Sequence, residues 1–194
     1  MSEITIPPGT AAIIFDCDGT LADTHALHQE AWDECLAAHG QESPPHFLDG
    51  YKGVPTTEIL KAFNSRFQTS LDVARVAKEK ERIAFSKLGN AKPILPVVRV
   101  ARRHKGVLPM AAASGGTAEN VFRTLKAIGL EDFFDAVLTA DDPVRGKPFP
   151  DIFLEAARRL GAEPSRCLVF EDSPLGIEAA HKAGMASIDV TRYV

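Results

Sequence analysis

The sequence is poor in three features that mark particular classes of protein: cysteine, excess charge of one sign and long hydrophobic runs. Three of the 194 residues are cysteine, which is too few for a disulfide framework, and the odd number leaves one unpaired. A reducing compartment fits such a chain best. The formal net charge of −4 gives no general attraction to nucleic acid or to an anionic membrane. We therefore expect neither among the partners.

No apolar run is long enough to span a bilayer, and the opening MSEITIPPG lacks the basic start and apolar stretch of a signal peptide. These features lead us to expect a cytoplasmic protein. The hydrophobic fraction of 45% and the charged fraction of 25% are ordinary for a globular chain. The length suffices for one sizeable core, with or without a small appendage.

Five short apolar runs predict the strands of a parallel sheet. They are AAIIF (11–15), VLPMAAA (107–113), DAVLTA (135–140), CLVF (167–170) and ASIDV (186–190). The first and fourth are nearly continuous, which is typical of strands buried on both faces. Segments of helical spacing lie among the later runs and end in glycine, as at Gly129 and Gly161. This alternation predicts a doubly wound α/β core, in which ligands bind at the carboxyl ends of the strands.

The stretch between the first two strands contains helical patterns and no strand-like run. Apolar residues recur at helical spacing in residues 25–40, 56–67 and 71–89. We expect a helical cap domain over residues 22–95 and a core domain formed by residues 1–21 and 96–194. The chain should return to the core at NAKPILP, where prolines disfavour continuation of a helix.

Two aspartates, Asp16 and Asp18, directly follow the first strand and should lie at its carboxyl end. Two carboxylates this close repel each other, which favours a bound hard cation or a proton on one of them. A simple turn is the alternative, because Asp and Gly are common turn residues and Gly19-Thr20 follows.

Two further segments could contact an anion. Ser114 ends the second strand in AAASGG, where a hydroxyl, two glycines and a helix start would suit an oxyanion. A helix N-cap is the alternative for this serine. Lys147 in RGKPFPD lies just before a helix and could neutralise phosphate, or it could be an ordinary surface lysine.

A second acidic pair, Glu171 and Asp172, follows the strand CLVF. With the first pair it would make an all-oxygen site of the hardness that Mg²⁺ prefers, although Asp172 or Ser173 could instead cap a helix. Phosphoryl transfer needs a nucleophile, a metal, cation or hydroxyl contacts to the phosphoryl oxygens, and an acid for the leaving group. The four segments, each at a predicted strand end, supply that set.

The same four segments make the chain resemble the haloacid dehalogenase superfamily of phosphotransferases. The matching motifs are DCDGT, Ser114 in AAASGG, Lys147 in GKPFPD, and EDSPLG. The resemblance covers nearly the whole chain, since the insert matches the helical cap of that superfamily. Within it, the chain is most similar to the branch of β-phosphoglucomutases and sugar phosphatases, and especially to fructose-1-phosphate phosphatase-like enzymes, through KGVPT, GKPFPDIF and EDSPLGI.

The resemblance implies a phosphatase that hydrolyses a small phosphorylated metabolite, such as fructose 1-phosphate. Asp16 would be the nucleophile and would form an aspartyl-phosphate. Asp18 would protonate the leaving oxygen and then activate water, a role that near neutrality needs a raised pKa. Ser114 and Lys147 would hold phosphoryl oxygens.

The resemblance also implies Mg²⁺ as the cofactor. Its ligands would be Asp16, the main-chain carbonyl of Asp18 and Asp172, with Glu171 alongside or acting through water. We expect a monomer or a weak homo-oligomer.

Thr20 and Gly115 are expected to bind substrate beside the catalytic groups. On the cap, His28 and Lys52 match positions that face the substrate in the mutase branch, although His28 could also lie on a solvated helix face. Lys80 is a weaker candidate, because a charge run such as KEKER is usually a solvated face. Cys17 should point into the core, away from the two aspartates that flank it.

Particular residues bear on three alternatives to a phosphatase: a mutase, a non-catalytic binding protein and a dehalogenase. A phosphosugar mutase needs a cation for a second phosphate, and the mutase branch has a Ser-Arg pair where KGVPTTE has Pro55 and Thr56. A non-catalytic phosphosugar-binding protein is disfavoured because Asp16 and Asp18 are both present. A dehalogenase is disfavoured because carbon–halogen cleavage needs no acid such as Asp18.

Overall fold

A five-stranded parallel sheet forms the centre of the structure, a computed structural model that describes residues 4–193. Within those residues the strands are β1 (Ala12–Phe15), β2 (Ala22–Asp23), β3 (Lys92–Pro93), β4 (Met110–Ala113), β5 (Ala136–Leu138), β6 (Cys167–Glu171) and β7 (Ala186–Asp189). The large sheet has the order β5-β4-β1-β6-β7, with every neighbouring pair parallel. The five predicted strands are therefore confirmed.

Helices flank this sheet and also fill the segment after β1. They are α1 (His25–Ala38), α2 (Thr56–Phe67), α3 (Val73–Leu88), α4 (Leu95–His104), α5 (Ala118–Ala127), α6 (Asp151–Leu160) and α7 (Pro174–Lys182). Local signals set several of their ends. The Asp72 carboxylate accepts the Arg75 amide at the start of α3, and Gly161 ends α6 with a left-handed φ of 64°. No helix in the described part of the chain is both long and apolar enough to cross a membrane.

Alternate residues of β1 face the two layers of helices. Ile13 and Phe15 belong to one buried cluster, whereas Ala12 and Ile14 belong to a second cluster. The residues of β1, β4 and β6 are all buried. Because parallel strands covered on both faces must be apolar throughout, this arrangement accounts for their continuous apolar sequences and confirms the doubly wound α/β fold.

The helical segment α1–α3 has an apolar cluster of its own. Trp32, Leu36, Leu60, Phe63 and Ile83 are among its buried members. Fully burying one such large side chain stabilises a fold by about 1.5–3 kcal/mol. The three helices therefore hold together through contacts that do not involve the sheet.

Two details of the segment between the first two sheet strands differ from the sequence-based expectation. A two-residue antiparallel ribbon pairs Ala22 with Pro93 and Asp23 with Lys92, where no strand was expected. Helix α4 then begins at Leu95, with Pro96 in its first turn. Proline is tolerated there because the first amide groups of a helix have no intrahelical acceptor. The preceding helix α3 ends at Leu88, before both prolines, and the unexpected feature is the new helix that begins within NAKPILP.

Candidate active site

The polar residues predicted to lie together do meet at the carboxyl edge of the sheet. Asp16 follows β1, Ser114 follows β4, and Glu171 and Asp172 lie at the end of β6. β1 lies between the other two strands, which brings these residues to one place. Carboxylate oxygens of Asp16, Glu171 and Asp172 all lie within 4.8 Å of one another.

Lys147 contacts two of these carboxylates. Its Nζ donates to Asp16 Oδ1 at 2.5 Å and to Glu171 Oε2 at 2.7 Å, and its side chain is wholly buried. Burial alone would lower the pKa of this ammonium group, but the charges of Asp16 and Glu171 hold the pKa above its usual range. The surface-lysine alternative is therefore wrong.

Glu171 has its hydrogen-bonding capacity largely filled by the protein. Its Oε1 accepts the Ser173 amide at 3.0 Å, the Ser173 hydroxyl at 2.8 Å and the Asp172 amide at 3.2 Å. Gly176 allows this packing, because a Cβ there would lie 2.1 Å from the carboxylate. Glu171 is thus a fixed negative charge behind the cluster, with few lone pairs left for direct ligation.

Asp16 is the least satisfied member of the cluster. Its side chain is buried, and Oδ2 has no hydrogen-bond partner among residues 4–193. Burial raises the pKa of this carboxyl well above its ordinary value; Glu171 raises it further and Lys147 opposes the rise. A buried, unpartnered carboxylate oxygen beside further carboxylates fits a hard divalent cation with oxygen ligands, so Asp16 and Asp172 are suited to hold Mg²⁺.

Asp18 faces away from that cluster toward the helical segment. Its Oδ1 accepts the Thr24 hydroxyl at 2.7 Å and lies 3.3 Å from His28 Nε2, while Oδ2 accepts the Ser114 hydroxyl at 3.2 Å. Burial alone would raise the pKa of Asp18. The hydrogen bonds and charges of His28, Thr24 and Lys80 outweigh burial, and the pKa lies below its ordinary value. This direction is opposite to the one that the acid role requires.

Ser114 is not the N-cap of the helix that follows it. That position belongs to Thr117, whereas the Ser114 hydroxyl donates to Asp18 and accepts the Gly116 amide at 3.0 Å. The N-cap alternative is therefore wrong. At Gly115, a Cβ would lie 2.5 Å from the carbonyl oxygen of Gly53, so the helical segment touches the core closely at this loop.

Thr20 differs from its expected substrate-binding position. Its side chain is fully buried, and its hydroxyl donates to Asp172 Oδ1 at 3.2 Å. The sharp turn at Gly19, with a φ of +84°, directs the chain so that Thr20 supports a carboxylate instead of lining the cavity.

A cavity of about 150 Å³ opens between these core residues and the helical segment. The catalytic candidates Asp16, Asp18 and Ser114 line one side, together with Gly115, which was expected to bind substrate. The other side includes His28, Trp32, Lys52, Thr56, Lys80 and Glu81. His28 and Lys52 therefore face the cavity. Cys17 is fully buried in the core, as expected.

Lys80 contradicts the solvated-face interpretation of its charge run. Its side chain is 5% exposed, and its Nζ lies 3.2 Å from both His28 Nδ1 and Glu81 Oε1. A sequence signal for this burial exists, since Val76, Lys80 and Ile83 share one helical face. His25 was not among the expected site residues, yet its Nε2 lies 2.8 Å from Asp172 Oδ2.

Comparisons with known proteins show the family to which this chain belongs. A family model described as haloacid dehalogenase-like hydrolase matches residues 10–184. The chain is 39% identical over 180 residues to fructose-1-phosphate phosphatase YqaB of Escherichia coli, covering 93% of this chain and 96% of that protein. It is 32% identical over 185 residues to the phosphorylated carbohydrates phosphatase of Thermotoga maritima, covering 91% and 83% of the two chains.

Among solved structures, the β-phosphoglucomutase of Clostridium difficile is similar with a TM-score of 0.78 and 28% identity. That match covers 91% of this chain and 82% of the other. The same fold therefore serves proteins named as phosphatases and a protein named as a mutase, and the residues around the cavity must distinguish these activities.

Proposed function

Because the chain belongs to the haloacid dehalogenase-like hydrolase family and is a phosphatase, we propose that it hydrolyses a small sugar phosphate such as fructose 1-phosphate, with Mg²⁺ as cofactor and an aspartyl-phosphate intermediate. The observation that carries this proposal is the buried, unpartnered Oδ2 of Asp16 at the floor of the cavity. The Asp16 carboxylate must keep lone pairs free both to attack phosphorus and to hold Mg²⁺, and an oxygen without a partner leaves them free.

The first half of the reaction forms a bond from Asp16 to phosphorus and breaks the bond from phosphorus to the sugar oxygen. Asp18 gives that oxygen a proton, so the sugar leaves as a neutral alcohol. Lys147 keeps Asp16 in place through its 2.5 Å contact, and the Ser114 hydroxyl donates to Asp18 at 3.2 Å. Mg²⁺, held by Asp16 and Asp172, would offset the negative charge of the phosphoryl oxygens.

The second half returns the enzyme to its starting state. Asp18, now ionised, takes a proton from water, the water oxygen bonds to phosphorus, and the bond to Asp16 breaks. The lowered pKa of Asp18 keeps its carboxyl ionised, which a base must be before it takes up a proton. Its acid role needs the opposite shift, which the negative charge of a bound phosphoryl group would supply.

We further propose residues 22–95 as a cap domain on a core of residues 1–21 and 96–194. The separate apolar cluster of α1–α3 and the β2–β3 ribbon at both crossings support this division. A cytoplasmic location and a monomeric or weakly associated state stay predictions. The three free, buried cysteines are compatible with a reducing compartment.

A phosphosugar mutase is the second candidate, favoured by the similarity to β-phosphoglucomutase. Thr56 occupies the place of the arginine expected in that branch, and its hydroxyl donates to Glu81. An uncharged side chain that is already hydrogen-bonded is a poor holder of a second phosphate.

A side-by-side assay tests the proposal against this alternative. With Mg²⁺ present, we expect phosphate release from fructose 1-phosphate and related hexose phosphates, and negligible isomerisation of glucose 1-phosphate. The D16N variant serves as the background control. Efficient isomerisation with negligible phosphate release would overturn the phosphatase in favour of the mutase.

A further inference from the structure

The wall of the cavity opposite Asp16 contains an ion pair between a buried lysine and a partly buried glutamate. Lys80 lies on α3 with its ammonium group 3.2 Å from the Glu81 carboxylate, 3.2 Å from His28 Nδ1 and 5.4 Å from the centre of the Trp32 ring. His28 in turn contacts Asp18. The imidazole ring of His28 therefore connects Lys80 to Asp18, the carboxylate proposed as acid and base.

Glu81 is held in place from three directions. Its Oε1 accepts from the Thr56 hydroxyl on α2 and from Lys80, while its Oε2 accepts from the side-chain amide of Asn120 on α5. Asn120 is itself buried. Burial alone would raise the pKa of Glu81, but the charge of Lys80 and the Thr56 hydrogen bond hold the pKa below its ordinary value. A fixed carboxylate charge therefore accompanies the lysine.

This pairing changes what the wall can bind. A buried ammonium group without a neighbouring carboxylate would attract a second phosphate at the far end of a substrate. With Glu81 in contact, the positive charge is balanced, and a phosphate approaching Lys80 also approaches a like charge. The remaining hydrogen-bonding groups of the wall suit the hydroxyl groups of a sugar.

Other charged side chains also line this side of the cavity. Lys52 and Asp49 are both among them, so this wall carries charges of both signs. His46 contacts Asp49 at 3.0 Å from the exposed side. The far wall is therefore mixed in charge, in contrast to the uniformly cationic clamp that a bisphosphate requires.

We propose that Glu81 is a specificity-determining residue that restricts this site to monophosphorylated substrates, by balancing Lys80 and by repelling a second phosphate. The proposal rests on the proposed phosphatase function. It makes Glu81 a residue of substrate selection, with no part in the attack on phosphorus.

The experiment compares fructose 1-phosphate with fructose 1,6-bisphosphate on four proteins: wild type, Glu81→Gln, Lys80→Gln and Glu79→Gln. Glu79 is the matched control, because it lies two residues away on α3, contacts His39 at 3.0 Å and does not line the cavity. For each protein, kcat/KM is measured for both substrates, and the dissociation constants of both are measured by calorimetry on the D16N background.

Wild type should prefer the monophosphate by at least about tenfold, the scale on which a repulsive contact discriminates between ligands. Glu81→Gln should shift the ratio of the two kcat/KM values about tenfold toward the bisphosphate, because Lys80 then has an unbalanced charge. Lys80→Gln should shift that ratio the other way, and Glu79→Gln should leave it unchanged. The dissociation constants should follow the same pattern.

Several results would overturn the proposal. One is a wild-type enzyme that accepts both substrates equally. Another is a folded Glu81→Gln variant in which both kcat/KM values fall together, which a purely structural role predicts. If Glu81→Gln does not fold, the Lys80→Gln variant decides: a ratio of the two kcat/KM values equal to that of wild type would also overturn the proposal. Absence of phosphate release from every substrate, including p-nitrophenyl phosphate, would contradict the proposed function instead, and the calorimetric ratios would still decide the role of Glu81.

Discussion

His25 Nε2 lies 2.8 Å from Asp172 Oδ2, so the first residue of α1 contacts a carboxylate at the end of β6, 147 positions further along the chain. The Thr20 hydroxyl holds the other oxygen of the same carboxylate at 3.2 Å. A Cβ at Gly19 would lie 2.1 Å from His25 Nε2, so glycine at that turn makes room for the imidazole ring. Both neighbours fix the orientation of Asp172, which is a candidate metal ligand.

Replacing His25 by alanine should weaken Mg²⁺ binding about tenfold, because residues that orient a metal ligand typically contribute on that scale. Isothermal titration of Mg²⁺ into the purified variant measures the effect without any assay of activity. His181→Ala is the control, since His181 contacts Ser187 at 3.0 Å and is not one of the acidic cluster's neighbours. Equal Mg²⁺ affinity in wild type and His25→Ala would contradict the orienting role.

Chelation should abolish phosphate release, and added Mg²⁺ should restore it. Asp16, Glu171 and Asp172 together cannot accept a phosphate dianion unless their charge is offset. Adding Mg²⁺ to the chelated protein should also raise the thermal midpoint of unfolding, because the cation binds the folded protein only. Undiminished turnover after exhaustive chelation would show that the metal assignment is wrong.

The Asp16→Asn variant should lose at least about 10³-fold in kcat while keeping its fold, because the amide is nearly the same size but is a poor nucleophile. Circular dichroism checks the fold, and single-turnover assays with fructose 1-phosphate measure the rate. Asp33→Asn is the control for a generic loss of charge, since Asp33 is exposed and contacts Gln29. A rate for Asp16→Asn close to that of wild type would exclude Asp16 as the nucleophile.

Lys147→Met should lower the free energy of unfolding by about 3–5 kcal/mol, the usual cost of removing one partner of a buried ion pair. Asp16 and Glu171 would then be two buried carboxylates without a cation. Urea unfolding at neutral pH measures the loss. Lys182→Met serves for comparison, because its exposed partner Glu178 stays hydrated. A loss no greater than that of Lys182→Met would show that the buried lysine does not stabilise the fold.

The free energy of unfolding should decrease in acid, because the stabilising contribution of ionised Glu81 is lost there. Its pKa in the folded protein lies below the ordinary value of about 4.5, so the unfolded chain takes up the proton first as the pH falls. Its contribution is fully present above about pH 4.5 and is lost as the pH drops through the lower folded pKa. Urea unfolding between pH 7 and pH 3 should show a smaller acid loss for Glu81→Gln than for wild type. Identical curves would contradict the lowered pKa.

The sequence predicts the core of this molecule well because its strands are continuous apolar runs and its polar site residues follow those runs directly. Asp16, Ser114 and Glu171 are adjacent in space only because β1 lies between β4 and β6. The rule that parallel strands share a carboxyl edge is enough to group them. Helix α4 was not predicted, because the prolines of NAKPILP were considered only as an end to the preceding helix, although Pro96 occupies the first turn of the next one.

The helical side of the cavity is harder to predict. His25 is a lone histidine at a helix start, and no local pattern links it to Asp172. Lys80 sits in a run of charges, and its burial follows only from sharing a helical face with Val76 and Ile83. Glu81 meets Asn120 because α3 packs on α5, a long-range contact that has no signature in either segment.

The pairing of Ala22 with Pro93 brings the two ends of the helical segment side by side. The Cα atoms of paired antiparallel residues lie only about 4.5–5.5 Å apart. The chain therefore enters and leaves the helical segment at two adjacent points. A chimaera that carries a foreign segment between Asp23 and Lys92 would therefore keep the order and register of the large sheet. Such a transplant has to match the face of α5 that includes Asn120, the loop at Gly115 that Gly53 approaches, and the carboxylates of Asp18 and Asp172. These few contacts make this position a practical site for exchanging selectivity between related enzymes.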